Sequence, residues 1–280
     1  MTLSQNIHMG HDGSAYPDAY YVRQNGDRFL STMHSQGSWQ PGEQHLSPAA
    51  GLVLAEAEHR LPSDKLISRV TFDVLGVIHS GPFAIDVEVV RPGRTIELVE
   101  ARMRHGTQTS VLARIWRLQP SDTTSIQGLE WDALPPPDAY PSIRMSSIWE
   151  GGFMATLEAR RNPQNRPGRG QTWLRTTMPL VAGEADPPIA TFVKLIDTAN
   201  GLVARLHSDQ AFFANVDLTV HFTRQPEAGW VGFDTYVNFG PNGLGETFSV
   251  LNDIHGPVGT AAQSLTLRLR QPLDRGGASS

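Results

Sequence analysis

The sequence contains no cysteine. Disulfides, zinc–thiolate sites, iron–sulfur clusters and a cysteine nucleophile are excluded, while the redox compartment stays open, because a chain without thiols suits either. Lysine is almost missing as well. Lys65 and Lys194 are the two present, and 23 basic residues stand against 28 acidic ones, for a net charge of −5. A surface that tracks a phosphate backbone needs a basic excess, so a nucleic-acid partner is disfavoured. No apolar run approaches the roughly 18 residues of a membrane-spanning helix, so no membrane partner is expected. The opening MTLSQNIHMGHDG lacks both a basic and an apolar region. It is not expected to be a signal peptide, and a cytoplasmic protein is expected.

What is present is ordinary globular material: 39% hydrophobic and 18% charged residues in 280, with 26 glycines. That length allows one large domain or two of about 100–150 residues. The segment from Gln119 to about Pro141, with its proline run and no periodicity, reads as a connection that divides the chain nearly in half. NPQNRPGRG, from Asn162, reads as an exposed turn.

The two halves carry the same order of signals. Each opens on short β-like runs, RFLSTMH from Arg28 and TWLRTTM from Thr172. Each then predicts one amphipathic helix. In the first, Ser47-Pro48 supplies an N-cap and a proline at the first helical position before AAGLVLAEAEHR. In the second, Asp186-Pro187-Pro188 precedes IATFVKLIDTANGLVARLH. Four β-like runs follow in each half. RVTFDVLGVIHSGPFAIDVEVVRPGRTIEL aligns with DLTVHFTRQPEAGWVGFDTYVNFGPNGLGE, which puts Thr71 over Thr219; near the ends Val111 lies over Val258. Such a repeat means one supersecondary unit used twice. Each unit is expected to be a long helix on an antiparallel sheet of about six strands, an α+β arrangement.

Two side chains break the apolar pattern. In the last strand Gln263 shares a face with Leu265, Leu267 and Leu269, so it is an amide among leucines. A buried amide must be hydrogen-bonded; a structural tie to backbone and a working role both fit. On the second helix Ile189, Phe192, Val193, Ile196, Asn200, Val203 and Leu206 form the inner stripe. Asp197 sits at its rim, while Lys194, Thr198 and Arg205 are expected to face away. A rim carboxylate is a solvated residue, an arginine partner or a working group, and the pattern leaves all three open.

One helix wrapped by such a sheet and duplicated in tandem resembles the double hotdog of type II acyl-CoA thioesterases and the related thioesterase-like superfamily. The segments that carry the resemblance are DTANGL from Asp197, NVDLTVHFTR from Asn215, GPVGTAAQSLTLRLR from Gly256 and VEVVRPGRTIELVEARM in the first half. It covers residues 20–272. Implied are a tail over 1–19, one unit over 20–118, a linker over 119–144, a second and site-bearing unit over 145–272, and a tail over 273–280. The family uses an Asp on the second helix, a Ser/Thr-type residue just before the following strand, and a Gln on the last strand, which together orient and activate water. Asp197 matches the first and Gln263 the third. The middle position is Asn215, a departure, with Thr219 as a possible additional hydroxyl; Thr219 reads first as an ordinary β-branched strand residue.

In the repeat, Asp197 lies over Ala49 or Ala57, Asn215 over Ile67 and Gln263 over Trp116. Polar groups in the second half thus face apolar ones in the first, which implies one working site. The resemblance implies an acyl-CoA substrate, hydrolysis to free acid and CoA with no cofactor, and a homo-oligomer. A catalytically silent acyl-binding or assembly protein is the alternative. A hotdog dehydratase would want an Asp/His pair after a G-D-x-N-P-type segment, which is absent. There is no HExxH and no compact ligand trio, so no metal is expected; His8 and His11 are the nearest to one. His221 reads as a strand polar residue. GPNGLGE joins two β-like runs and reads as a hairpin turn rather than half of a dinucleotide fingerprint. No G-x-S-x-G is present, which disfavours a serine-nucleophile hydrolase. Trp149-Glu150-Gly151-Gly152-Phe153 reads either as a family segment or as a turn.

Overall fold

The computed structural model describes residues 17–270. The expected tail over 273–280, most of that over 1–19, and His8 and His11 with it, lie outside the described residues.

Six strands occupy the first half: β1 (Tyr21–Asn25), β2 (Arg28–Ser31), β3 (Leu66–Val74), β4 (Pro82–Arg91), β5 (Ile96–His105) and β6 (Gln108–Leu118). The second half holds β7 (Ser142–Arg144), β8 (Glu158–Arg161), β9 (Arg169–Arg175), β10 (Ala211–Phe212), β11 (Asp217–Phe222), β12 (Val231–Phe239), β13 (Leu244–Asp253), β14 (Gly256–Thr266) and β15 (Arg268–Leu269). All but β10 and β15, which pair with each other, join one 13-stranded sheet. Its joint is the antiparallel pair β3–β11, in which Thr71 stands directly opposite Thr219. Outward from β3 the order is β6, β5, β4, β2, β1; outward from β11 it is β14, β13, β12, β9, β8, β7. The joint strand is followed in both directions by the last long strand of its half. Two edges that would otherwise expose unpaired backbone are closed on each other. GPNGLGE is the β12–β13 hairpin turn, with Gly243 in the left-handed region at φ 81°.

The helices are α1 (Leu46–Arg60), α2 (Gly152–Ala155), α3 (Pro188–Val193) and α4 (Ala199–Leu202). α1 lies on β4 and β5 and runs beside α3, while α4 lies on β12 and β13. The sequence places the start of α1 at Ser47; it starts earlier. His45 is the N-cap, and its Nδ1 accepts the Ser47 backbone N–H at 3.0 Å. Pro48 is tolerated inside the first turn because N–H groups there have no intrahelical partner to lose.

The second-half helix departs further from expectation. A continuous helix through His207 is not formed. α3 ends at Val193, residues 194–195 make a turn, Ile196–Thr198 is a 3-10 turn, and α4 stops at Leu202. The residues explain the break. Asp, Thr, Asn and Gly from 197 to 201 are poor helix formers, and Thr198 Oγ1 donates to the Leu195 carbonyl at 2.6 Å in competition with the backbone. Trp149 Nε1 takes the Gly201 carbonyl at 3.0 Å.

Lys194 and Thr198, expected to face away, are buried. α1 covers that side. Lys194 is satisfied there by Asp186 at 2.8 Å and the Met178 carbonyl at 2.8 Å. Arg205 is exposed, but it lies beyond the end of α4, where the helical pattern does not apply.

The opposite face of the sheet differs between halves. On β4, β5 and β6 it carries ion pairs: Arg102 with Glu88 and Glu100, Arg104 with Asp86, Arg114 with Glu100. On the second half part of the connection lies against it. Trp173 Nε1 donates to the Pro135 carbonyl at 2.9 Å, and Tyr140 Oη to Gln171 Oε1 at 2.6 Å.

α1 and α3 cross at Gly51. A Cβ there would stand 2.5 Å from Lys194 Cβ and 3.1 Å from the Ala190 carbonyl oxygen. Gly51→Val is expected to lower stability by about 1–3 kcal/mol through overpacking, read as a reduced thermal midpoint; an unchanged midpoint would show that the helices separate freely.

Candidate active site

The bend after α3 sets Asp197 down onto the sheet. Its side chain is buried, and three segments remote in sequence meet on it. Asn215, just before β11, donates from Nδ2 to Asp197 Oδ1 at 2.7 Å. Gln263, on the inner face of β14, donates from Nε2 to the same oxygen at 2.8 Å. Asn215 is itself pinned: its Nδ2 also donates to the Asp217 carbonyl at 3.0 Å, and its Oδ1 accepts Asn200 Nδ2 at 3.4 Å. The second carboxylate oxygen, Oδ2, points toward His45 Nδ1 at 3.4 Å.

Asp197 and Asn215 line a cavity of about 290 Å³. Its apolar wall includes Trp39, Leu46, Val74, Val77, Ile78 and Phe212, and its polar wall Glu43, Gln44, His45 and Asn200. Gln263 lies behind the carboxylate rather than on the wall. The positive end of the α1 dipole opens onto the same space through His45 and Leu46.

The electrostatics follow from burial. Desolvation pushes the Asp197 carboxyl up to about 7, with the Asn215 and Gln263 hydrogen bonds pulling the other way. Burial pushes His45 down to about 4. Near neutrality the imidazole is uncharged and the carboxyl is about half ionised. Because Nδ1 accepts the Ser47 N–H, the ring proton sits on Nε2, and Nδ1 has no proton to give to Asp197 Oδ2. A partly ionised carboxyl with one oxygen committed and the other facing a cavity is suited to general-base chemistry.

Of the sequence candidates, Asp197, Asn215 and Gln263 are thus brought together, and Thr219 is not. Thr219 pairs with Ala262 on the outer face, while Gln263 points inward. His221 is on that outer face too, opposite Arg69.

The alignment partner of Gln263 needs correction. Thr71 pairs with Arg114 as Thr219 pairs with Ala262, and Ile67 pairs with Arg117 as Asn215 bridges Leu265. Ile67 therefore holds the place of Asn215, and buried Ile115, not half-buried Trp116, holds that of Gln263. A one-residue slip exchanges the two faces of a strand. Ala49, Ala57 and Ile67 are buried packing.

Glu43, Gln44, His45 and Asn200 are the polar wall residues whose part in the site the sequence reading missed. His45 stands one residue before the helix, but Ser47-Pro48 is the stronger cap signal and draws the boundary past it. Among the described residues no group of three His, Asp or Glu side chains is placed to hold a metal ion, and no helix is long and apolar enough to cross a membrane.

Comparison with known proteins gives the family of the chain. Residues 35–118 match the model of the acyl-CoA thioesterase N-terminal domain, and residues 132–267 that of the acyl-CoA thioesterase C-terminal domain. The chain belongs to the acyl-CoA thioesterase family. Among solved structures, a conserved hot dog fold protein of unknown function from Alicyclobacillus acidocaldarius aligns at TM-score 0.71 and 15% identity, covering 91% of this chain and 98% of that one. The acyl-CoA thioesterase II TesB2 of Mycobacterium marinum aligns at 0.64 and 13%, covering 92% and 98%. A tesB protein of Mycobacterium avium subsp. paratuberculosis aligns at 0.63 and 17%, covering 89% and 95%. At these identities the likeness establishes the hotdog fold. No curated protein matches the sequence.

The raised Asp197 pKa has a cost in stability. The ordinary value is 3.8 and the folded value about 7, so the folded state holds a proton more tightly. The resulting stabilisation is complete below about pH 4 and is lost as pH rises through about 7. Asp197→Asn keeps an oxygen for both amides and removes the charge. Urea denaturation is expected to show this variant more stable than the parent at pH 8, by up to about 4 kcal/mol, with the gap closing toward pH 4. A variant less stable at pH 8 would contradict the assignment.

Proposed function

We propose that the protein is an acyl-CoA thioesterase that hydrolyses an acyl-CoA to free acid and CoA, built as two hotdog units in tandem over residues 20–118 and 145–272. The observation that carries this reading is the buried Asp197 carboxyl, ionisable near neutrality and set on the wall of a half-open cavity, in a chain of this family. Asp197 acts as the general base. Water held at Oδ2 loses its proton to the carboxylate and attacks the thioester carbonyl, CoA thiolate departs, and the proton leaves with it. No covalent intermediate is required.

The geometry modifies what the resemblance implies for the amides. The Asn215 and Gln263 donors go to the carboxylate, so they position the base rather than hold the water. This also gives the Asn215 departure a physical meaning. A hydroxyl could make one donor bond at this position, whereas the Asn amide both reaches Asp197 and ties to the Asp217 carbonyl. Developing charge on the carbonyl oxygen meets the α1 N-terminus. His45, neutral at Nδ1, sets the polarity of the wall without neutralising the carboxylate.

The deciding experiment is a free-thiol release assay across acyl-CoAs of different chain length. Turnover is expected, with kcat rising as pH increases through about 7. Asp197→Asn is expected to lose at least ~10²-fold in kcat while acyl-CoA still binds. Tight binding with no turnover of any acyl-CoA would instead identify a silent acyl-binding protein. The same reading expects a homo-oligomer, checked by light scattering at micromolar concentration, where a monomer counts against it.

A further inference from the structure

The amide of Gln263 has two ends, and only one is explained by Asp197. Nε2 donates to the carboxylate and also approaches the Asp197 carbonyl at 3.3 Å. Oε1 is buried and has no partner in the protein. A second orphan lies beside it. Thr247, on β13, is the direct cross-strand partner of Gln263 on β14, both side chains are buried, and Thr247 Oγ1 also has no partner.

The surroundings leave few other matches. Across β12, Thr247 faces Val237, and across β11 the register puts apolar Leu218 beside Gln263. The next polar pair along the strip, Thr235 and Ser249, is satisfied internally at 2.8 Å. What remains is one acceptor without a donor and one hydroxyl without an acceptor, on opposed residues of the same face.

We propose that Thr247 is a positioning residue of the site: its hydroxyl donates to Gln263 Oε1 through one bridging water, and thereby fixes which end of the amide faces Asp197. The two orientations of a primary amide are nearly equal in shape and opposite in polarity. With Oε1 held by Thr247, the NH₂ group must face the carboxylate. Released, the amide can turn its oxygen to Asp197, which disfavours the ionised form. Thr247 does not line the cavity and makes no hydrogen bond to Asp197; it acts through Gln263.

The groups facing Asp197 are few, so a change in its titration can be attributed. His45 comes from the segment before α1, Glu43 stands on the same cavity wall, and β11 and β14 contribute the neutral amides Asn215 and Gln263. Lys194, on the preceding turn, is engaged by Asp186.

The test compares Thr247→Val, which keeps the branched shape and removes the hydroxyl, with Thr247→Ser, which keeps the hydroxyl. Asp197 is titrated by ¹³C-carboxyl NMR in the full chain, its signal assigned by loss in Asp197→Asn. Thr247→Val is expected to make Asp197 about a tenfold weaker acid, and Thr247→Ser to titrate like the parent. An unchanged titration in Thr247→Val overturns the proposal. So does an equal shift in both variants, which would mean that packing rather than the hydroxyl matters. Should Thr247→Val not fold, Thr247→Ala is titrated against the same two criteria. The catalytic consequence, a pH–rate profile displaced in the same direction, rests on the reading of Asp197 as the base; the titration does not, so absence of turnover leaves this test intact.

Discussion

A carboxylate taken out of water must find hydrogen-bond donors or give up its charge, and the arrangement around Asp197 follows from that requirement. Two primary amides reach one of its oxygens from segments that are far apart in sequence. They can do so only because the helix breaks after Val193 and the following turn brings residue 197 down between β11 and β14. The break depends on a run of weak helix formers, and the strand positions depend on the β3–β11 joint, which fixes the register of both halves. Local propensity, sheet register and site electrostatics are thus one problem with one solution.

The choice of amides rather than a cation decides what the carboxyl can do. Asp253 in the same protein shows the alternative. It too is buried, and burial pushes it up, but two hydrogen bonds from the Arg224 guanidinium and two backbone donors hold it below the ordinary carboxylate range. Such a group is ionised at any physiological pH and is a poor base. Asp197 receives two donors where Asp253 has four, and neither carries a positive charge, so desolvation prevails. Amides orient the carboxyl without neutralising it. The uncharged imidazole of His45 on the other oxygen preserves the same balance.

Much of this was legible from residue patterns, for reasons that can be located. Gln263 stood out because a strand has a strict two-residue period, although of the three leucines expected on its face only Leu265 shares the strand: β14 ends at Thr266, and Leu269 is exposed on β15. The Thr71–Thr219 correspondence was visible because both strands flanking the joint carry the same alternation. Helical reasoning did less well. A wheel drawn through Asp197 assumes an unbroken helix with one buried stripe, and it therefore put Lys194 and Thr198 outside. The helix is broken, and α1 packs on its second side, which is tertiary information. His45 was missed because the wall it occupies is assembled from the other half of the chain. Nothing local to HLSP reports what lies across the cavity. The alignment of Gln263 with Trp116 failed by one residue, the smallest slip possible, and in a strand that is enough to reverse the face.

The register comparison also explains why the chemistry stands on one side of the joint. Ile67, Ile115 and Arg117 occupy the places of Asn215, Gln263 and Leu265. In the first half the polar member of that trio is Arg117, fully buried, which donates to the Ala57 and Leu61 carbonyls and to Glu58 at the end of α1. Its charge is spent on closing a helix C-terminus, where cations are favourable. α1 is accordingly a continuous 15-residue helix, whereas the corresponding segment on the other side is broken and carries a carboxyl whose ionisation costs stability. A long capped helix and a bent one that lowers an acid onto the sheet cannot be the same segment. Placing them on opposite sides of one joint lets the first half hold the rigid wall, with its helix N-terminus and His45, against which the second half presents Asp197.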